Sequence, residues 1–309
     1  MRKLSVIIPF LDEGSEVIPT LESLFSTTKG NLVEVIVVND GSKESFEDKI
    51  KKFDVTYLKN PCRMGVAASR DIGVRASTSN TAVFFDAHMR FRNDGWAERI
   101  LDEVLKDPHS IYCTTCASLK QDKLDVHNPS TRGYGADINL VTSQKGSSRE
   151  ILEPSWISVK KNEIVYDIPC ILGATYAFNV PWYKKLRGLG GLKSWGSDEI
   201  YLSFKYWLAG GSCKLISDVE IGHIFRDQTP YLTNSSHLYF NKMFICFVLF
   251  PQEVTFSLID RLPQDDTFSM AIFLFRREVQ QIIEYKKYYE NVFVKTFSQV
   301  CELLNLRTV

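Results

Sequence analysis

The stretch VFFDAHMRF, Val83 to Phe91, decides how the rest of the sequence is interpreted. Three apolar residues are typical of a buried strand, and the run stops at an acid and, two residues later, at a histidine. In an extended chain, residues i and i+2 point to the same side, so Asp86 and His88 can converge on one point. A carboxylate oxygen and an imidazole nitrogen are ordinary ligands for Mn²⁺ or Zn²⁺, and oxygen-rich sites accept Mg²⁺. The stretch therefore suggests a strand that ends at a metal site, but these residues alone leave open that Asp86 caps a helix beside a solvated His88.

The first half of the chain repeats this pattern of strand followed by polar residues. The apolar runs LSVIIPF, VEVIVVND, VTYLKN and TAVFFD are separated by segments with helical spacing or with small residues on one face, such as GVAASRDIGVRA. Nearly continuous apolar strands separated by helices predict an α/β fold with a mainly parallel sheet covered on both faces. Ligands bind such sheets beyond the carboxyl ends of the strands. Polar groups follow four predicted strands, at 10–13, Asp40, 60–63 and Asp86, and this edge is therefore the predicted active site.

Composition limits the classes of binding partner and the cellular compartment that we expect for the protein. The 309 residues include 37 basic and 37 acidic side chains, and a net charge of zero argues against nucleic acid as a partner. The N-terminus lacks the pattern of a signal peptide, and no window holds the ~18 apolar residues of a transmembrane segment. Seven scattered cysteines, with Cys113 and Cys116 interpreted as buried thiols, indicate reduced thiols. We therefore expect a cytoplasmic protein, and peripheral contact with the inner face of the membrane stays open.

The second half supplies a third candidate metal ligand. Residues 117–165 are polar and irregular and are interpreted as loops with a few strands and as a candidate acceptor-side region. DEIYLSFKYWLAGG predicts a helix, and CKLISDVEIGHIF predicts a closing strand with His223 just at its end. One acid and two histidines would leave about three positions of an octahedral ion for water and phosphate oxygens. We expect a domain over residues 1–232 and a helical extension over 233–309 packed on it. The sequence leaves open whether these helices also bind a partner, a second copy of the chain in a homo-oligomer, or a membrane surface.

The sequence resembles the glycosyltransferases of the GT-A fold. Its N-terminal half is similar to family 2, with SVIIPFLDEG, VEVIVVNDGS, RMGVAASRDIGVRAS and DAH in order. Its second half is similar to the polypeptide N-acetylgalactosaminyltransferases in Gly-Trp after DAH, LGATYAF, WGSDEIYLSFKYWLAGG and GHIFRDQTPY. The resemblance covers about residues 3–232. It implies a mixed, mainly parallel sheet flanked by helices, a UDP-sugar as donor, and Mn²⁺ or Mg²⁺ as cofactor.

The resemblance also implies roles for individual residues. The nucleotide-binding set is Pro9, Phe10, Glu13, Asp40, Arg63, Arg70, Asp86, Arg226 and Tyr231, with Phe10, Glu13 and Asp40 at the uracil and ribose and with Arg226 and Tyr231 at the diphosphate. The metal set is Asp86, His88 and His223. The sugar and acceptor set is Gly173, Ala174 and Trp195.

An acidic pair, Asp198 and Glu199, opens the helix in the second half. In family 2 the second acid of such a pair is usually the base that deprotonates the acceptor hydroxyl, so the resemblance implies inversion with Glu199 as base. The N-acetylgalactosaminyltransferases have Asn at that position and retain configuration, and Tyr201 replaces the Glu that they usually have two positions further on. Both acids could instead simply favour the helix N-terminus.

The sequence thus predicts a metal-dependent glycosyltransferase that moves a sugar, with N-acetylhexosamines among the donors, from UDP to a hydroxyl of a glycan or peptide. Polysaccharide biosynthesis is the expected pathway. The alternatives are a retaining enzyme like the N-acetylgalactosaminyltransferases, a nucleotidyltransferase, which the absence of a glycine- and basic-rich phosphate loop disfavours, and a non-catalytic nucleotide-sugar-binding subunit.

Overall fold

The apolar runs of the first half form parallel strands in the computed structural model, which describes residues 3–121, 124–125, 127–141, 151–226, 228 and 230–306. In chain order the strands are β1 (Leu4–Phe10), β2 (Val33–Asn39), β3 (Val55–Lys59), β4 (Thr81–Phe85), β5 (Met89–Phe91), β6 (Ile111–Lys120), β7 (Thr131–Gly133), β8 (Ala136–Val141), β9 (Ile151–Trp156), β10 (Val165–Asp167), β11 (Thr175–Asn179) and β12 (Cys213–Phe225).

Helices connect these strands and continue after the last one. They are α1 (Gly14–Ser26), α2 (Glu47–Ile50), α3 (Val66–Ala76), α4 (Trp96–Lys106), α5 (Val180–Lys185), α6 (Asp198–Leu208), α7 (Ser235–Leu249), α8 (Gln252–Ile259), α9 (Asp266–Arg277), α10 (Val279–Val292) and α11 (Phe297–Leu303).

The larger sheet is mixed and mainly parallel, as predicted. Its order is β10-β12-β6-β11-β4-β1-β2-β3. Strand β1 pairs in parallel with β2 and β4, and β12 runs parallel to β6, whereas β11 is antiparallel to both β4 and β6. Strands β8 and β9 form a separate two-stranded sheet.

Both faces of the larger sheet are covered, which explains the unbroken apolar runs. In β4, Phe84 packs in one apolar cluster, and Val83 and Phe85 pack in a second one. Residues of α3, α5 and α6 belong to the first cluster, and residues of α1 and α4 belong to the second. Because side chains alternate along a strand, every position of β4 is buried against one layer of helices or the other.

Two local predictions differ from the structure. Asp86 and His88 follow the end of β4 and lie in the turn before β5, so they do not converge as alternate residues of a strand. His223 lies inside β12 and not just at its end, opposite Met89 of β5. The antiparallel pairing of β5 with β12, a contact between distant segments, therefore brings the second histidine to the first.

The residues after β12 form the helices α7 to α11. Helix α7 packs against α8, α9, α10 and α6, and α11 packs against α6. Within the described ranges, no helix combines the length and apolar character that a bilayer crossing requires. The domain boundary near residue 232 stays a prediction. Of the predicted irregular region 117–165, the described part contains β7, β8, β9 and the end of β6, and 142–150 lies outside the described residues.

The small face of α3 packs closely on the sheet at Gly73, where a Cβ atom would overlap the side chain of Ile7 in β1. We expect Gly73→Val to lower the free energy of unfolding by about 2 kcal/mol, because overpacking a filled core displaces its neighbours. Urea unfolding followed by circular dichroism measures this. Arg75→Ala, at an exposed position of the same helix, should stay within about 0.5 kcal/mol of wild type. Equal stability of the valine variant would contradict the close packing.

Candidate active site

One cavity of about 720 Å³ opens at the carboxyl ends of β1, β2 and β4. Every residue to which the sequence analysis assigned a binding, metal or catalytic role lines it. They are Pro9, Phe10, Glu13, Asp40, Arg63, Arg70, Asp86, His88, Gly173, Ala174, Trp195, Asp198, Glu199, His223, Arg226 and Tyr231. The cavity is large enough for a small-molecule ligand. These residues therefore lie together around one cavity, while their individual roles stay predictions.

Asp86, His88 and His223 form a cluster whose ligand atoms all lie within 4.8 Å of one another. The Nε2 atom of His223 is 3.2 Å from Oδ2 of Asp86, and the two imidazole rings are 4.7 Å apart. The Nδ1 atom of His223 is buried and finds no hydrogen-bond partner within the part of the chain that the structure describes. One carboxylate and two incompletely satisfied imidazoles suit a divalent transition metal such as Mn²⁺, so these residues fit the implied ion.

Arg70 joins this cluster to the acids of α6. Its Nη2 atom donates to Oδ1 of Asp86 at 2.9 Å, and its Nη1 atom donates to Oδ2 of Asp198. The guanidinium lies 4.8 Å from the ring centre of Tyr176 and is almost fully buried. The structure commits the two terminal nitrogens of Arg70 to carboxylates, while its implied place in the nucleotide-binding set stays a prediction. Arg70 therefore holds the metal site and α6 in a fixed relation.

The charges around Asp86 explain why a carboxyl group can lie at the end of a buried strand. Burial alone would raise the pKa of Asp86, but the hydrogen bond from His223 and the positive charge of Arg70 outweigh burial and hold the pKa well below its usual range. For His223, burial dominates over the attraction of Asp86 and lowers the pKa. At neutral pH the site thus presents an ionised carboxylate beside a neutral imidazole, which are the forms that bind metal.

Glu199 lies next to Gly173 in the wall of the cavity. Its Oε1 atom would be 2.7 Å from a Cβ atom at residue 173, so glycine at that position leaves the space that this carboxyl group occupies. Burial and the neighbouring charge of Asp198 raise the pKa of Glu199 well above its usual value. Ser197, which immediately precedes α6, makes no side-chain capping bond.

Glu13 points toward the metal cluster. A single oxygen, Oε2, is 2.8 Å from Nδ1 of His88 and accepts from Nη2 of Arg226 at 2.9 Å. Burial raises the pKa of Glu13, but its two partners outweigh burial and lower it overall. The structure directs this carboxylate to a candidate metal ligand and an arginine, while the contact of Glu13 with the uracil and ribose that the resemblance implied stays a prediction.

The carboxylate of Asp40 accepts hydrogen bonds from the loop that carries Arg63. Oδ1 accepts from Nδ2 of Asn60 at 2.9 Å and from the backbone of Met64 at 2.8 Å, and Oδ2 accepts from the backbone of Gly65 at 2.8 Å. Arg63 then lies with its guanidinium 5.4 Å from the ring centre of Tyr231. The geometry makes Asp40 an organiser of this wall, and any contact with a base would be additional to these bonds.

Helix α7, the first helix after β12, anchors the part of the cavity wall around Trp195. The side chain of Trp195 is half exposed. Asn241, fully buried in α7, accepts from the backbone of Lys193 at 2.7 Å and donates to the carbonyls of Lys193 at 2.9 Å and Gly196 at 3.0 Å. The chain needs this support, because it has φ values of 46° at Ser194, 101° at Gly196 and 68° at the next residue, Ser197.

The next residue of α7, Lys242, anchors a second part of the cavity wall, which is formed by β9. Its buried ammonium group donates to the carbonyl of Ile151 and to Oε1 of Glu153, both in β9. Strand β9 supplies Trp156, whose ring lies 5.3 Å from that of Phe225 at the mouth of the cavity. Strand β9 lies within residues 117–165, the candidate acceptor-side region of the sequence analysis. Sequence reasoning missed α7 as part of the site, because its contribution comes from contacts about 90 residues apart that leave no local pattern.

We expect Arg70→Met to destabilise the fold by about 3 to 5 kcal/mol, because it removes the buried positive charge that compensates the carboxylates of Asp86 and Asp198. Adding Asp198→Asn should recover part of this loss, since it removes one of the two charges. Urea unfolding in EDTA measures both variants and the single Asp198→Asn control. Strictly additive effects would show that Arg70 and Asp198 are not coupled in the folded state.

Comparisons with known proteins show the family of the chain. Residues 5–185 match the model of the family described as glycosyl transferase family 2. Polypeptide N-acetylgalactosaminyltransferase 10 of Mus musculus is 27% identical over 236 residues, which are 74% of this chain and 38% of the relative. Polypeptide N-acetylgalactosaminyltransferase 8 of Drosophila melanogaster is 29% identical over 243 residues, which are 74% and 39%. The chain thus spans less than half the length of these curated relatives.

Solved structures confirm the predicted GT-A fold. The crystal structure of GalNAc-T7 with UDP, GalNAc and Mn²⁺ matches with a TM-score of 0.71 at 21% identity, covering 98% of this chain and 56% of that one. Staphylococcus aureus TarS 1-349 in complex with UDP-GlcNAc matches with a TM-score of 0.55 at 11% identity, covering 97% and 83%. Because the family model spans more than half of the sequence, the chain belongs to glycosyl transferase family 2.

Proposed function

We propose that the protein transfers a sugar from a UDP-sugar to a hydroxyl group of a glycan or peptide, and that it requires Mn²⁺ or Mg²⁺. The observation that carries this proposal is the cluster of Asp86, His88 and His223 in the same cavity as Glu199. An N-acetylhexosamine is the donor sugar that the named relatives favour. Membership of family 2 supports the reaction type, and the neighbouring structures, solved with UDP or a UDP-sugar, support the nucleotide.

The donor end of the cavity is suited to a diphosphate. Asp86, His88 and His223 would hold the ion, which supplies charge stabilisation for the departing diphosphate when bound. Arg226 lies beside this cluster and donates to Glu13 through one nitrogen, so its guanidinium retains further donors for phosphate oxygens. Tyr231 and Arg63 face each other at the same end. These side chains would orient the leaving group and exclude water from it.

Glu199 is the proposed base for transfer with inversion. The acceptor oxygen forms a bond to the anomeric carbon as the bond from that carbon to the diphosphate oxygen breaks, and the acceptor proton passes to the Glu199 carboxylate. A carboxyl group with a raised pKa is a stronger proton acceptor than an ordinary glutamate once it is ionised. The space at Gly173 keeps this group open to the cavity.

Retention is the second candidate, and a specific observation favours it. Glu199 packs beside Asp198 in a buried cluster with Arg70, and burial together with the charge of Asp198 raises the pKa of its carboxyl group. A protonated carboxyl group cannot accept the acceptor proton, so this shift disfavours Glu199 as a base, and the two relatives described above are named N-acetylgalactosaminyltransferases. The anomeric configuration of the product distinguishes the two mechanisms.

We expect UDP release from one member of a panel of UDP-sugars in Mn²⁺, with loss of release in EDTA. His223→Ala should abolish it, because the candidate ion loses one of three ligands. His109→Ala is the matched control, since His109 packs with its ring tilted against Trp182 and does not line the cavity. Intact Mn²⁺ and UDP binding without any release, even with glycan and peptide acceptors present, would favour a non-catalytic binding subunit.

If Glu199 is the base, kcat should rise with pH through the raised pKa of its carboxyl group, since only the ionised form accepts a proton. Glu199→Gln should remove this rise and lower kcat by about 10² to 10⁴-fold. Proton NMR of the newly formed glycosidic bond gives its configuration. A retained configuration, or a glutamine variant with wild-type kcat, would reject Glu199 as base.

A further inference from the structure

We propose that Glu13 is a positioning residue that couples the metal cluster to the diphosphate-binding arginine. Its Oε2 atom contacts both Nδ1 of His88 at 2.8 Å and Nη2 of Arg226 at 2.9 Å. Glu13 is 5% exposed, so these contacts are sheltered from solvent. The inference deepens the proposed function and rests on it for the identity of the ion and the diphosphate.

The contact with His88 sets the state of the imidazole. A carboxylate only accepts hydrogen bonds, so Nδ1 of His88 must carry the proton and donate it to Glu13. The lone pair then lies on Nε2, the nitrogen that remains available to an ion. A carboxylate behind a metal-binding histidine also fixes the orientation of its ring, and loss of such a partner typically costs about 10 to 100-fold in metal affinity.

The contact with Arg226 extends this control to the phosphate end. Arg226 follows His223 by three residues, just beyond the end of β12, and its side chain is mostly buried. Glu13 immediately precedes α1, so its carboxylate ties the beginning of α1 to the end of β12. The same oxygen thus places a metal ligand and a phosphate donor at a fixed separation, although 213 residues separate Glu13 from Arg226.

Glu16 provides a matched comparison on the same segment. It lies three residues further along, in α1, and pairs with Nη2 of Arg90 at 3.1 Å. Its side chain is more exposed than that of Glu13, and it does not line the cavity. If only the loss of one negative charge from this segment mattered, substitution of Glu13 or of Glu16 should have the same effect on metal binding. If Glu13 positions the site, only substitution of Glu13 should weaken metal binding.

The test is Mn²⁺ binding to the full-length chain, measured by electron paramagnetic resonance of the free ion in the absence of any donor. We expect Glu13→Gln and Glu13→Ala to weaken the Kd for Mn²⁺ by about 10 to 100-fold. Glu16→Gln should leave it unchanged, and Glu13→Asp, which keeps the charge, should recover part of the loss. Circular dichroism confirms that each variant is folded.

A second measurement reports on the histidine without any metal. In ¹⁵N-labelled protein in EDTA, the ring nitrogens of His88 should show the proton on Nδ1 in the wild type, and this preference should weaken in Glu13→Ala. UDP binding in EDTA should weaken in the same variant and stay unchanged in Glu16→Gln, because Arg226 loses its partner only in the first.

The outcomes separate the inference from the proposed function. Wild-type protein that binds Mn²⁺, with the same Kd in the folded Glu13 variants, overturns the positioning role alone. Wild-type protein that binds neither Mn²⁺ nor UDP overturns both the inference and the proposed function. An unchanged His88 tautomer in Glu13→Ala also contradicts the inference, whatever the activity of the enzyme.

Discussion

The ion pair between Arg70 and Asp86 is the interaction on which the rest of the site depends. An apolar strand that ends in a carboxylate is stable only if that charge is compensated where the strand stops. Arg70 reaches this point because α3 packs closely on β1 through Gly73, and the same guanidinium also binds Asp198 at the start of α6. One buried cation therefore fixes both the candidate metal site and the acidic pair proposed for proton transfer.

The polar groups of the cavity form two sets that meet where the ring centres of His88 and His223 lie 4.7 Å apart. Arg226 donates to Glu13, which contacts His88, and His223 contacts Asp86, which accepts from Arg70. Each contact joins different segments of the chain. These contacts explain how a site assembled from strand ends, a turn and two helices keeps its charged groups within a few ångströms of one another without any disulfide.

Local patterns predicted the fold and the location of the site well. Strand runs, helix spacing and the polar residues after each strand depend on neighbours within a few positions, so the sequence alone indicates the layered sheet and its active edge. The partners of Arg70 and Glu13 could not be predicted in this way, because 128 residues separate Arg70 from Asp198 and no local signal encodes their contact. The position of His223 inside β12 was missed for the same reason, since it depends on pairing with β5.

The anchoring of two cavity walls by Asn241 and Lys242 has a consequence for how such an enzyme changes over evolutionary time. The groups proposed to handle the nucleotide and metal lie mainly in the first half and in β12, whereas these two adjacent positions of α7 hold Trp195 and β9. Substitutions in one helical turn can thus remodel a wall on the side of the cavity proposed for the acceptor, while leaving the groups proposed for the sugar nucleotide unchanged. A lineage can drift toward new acceptors through a segment that carries none of the reacting groups.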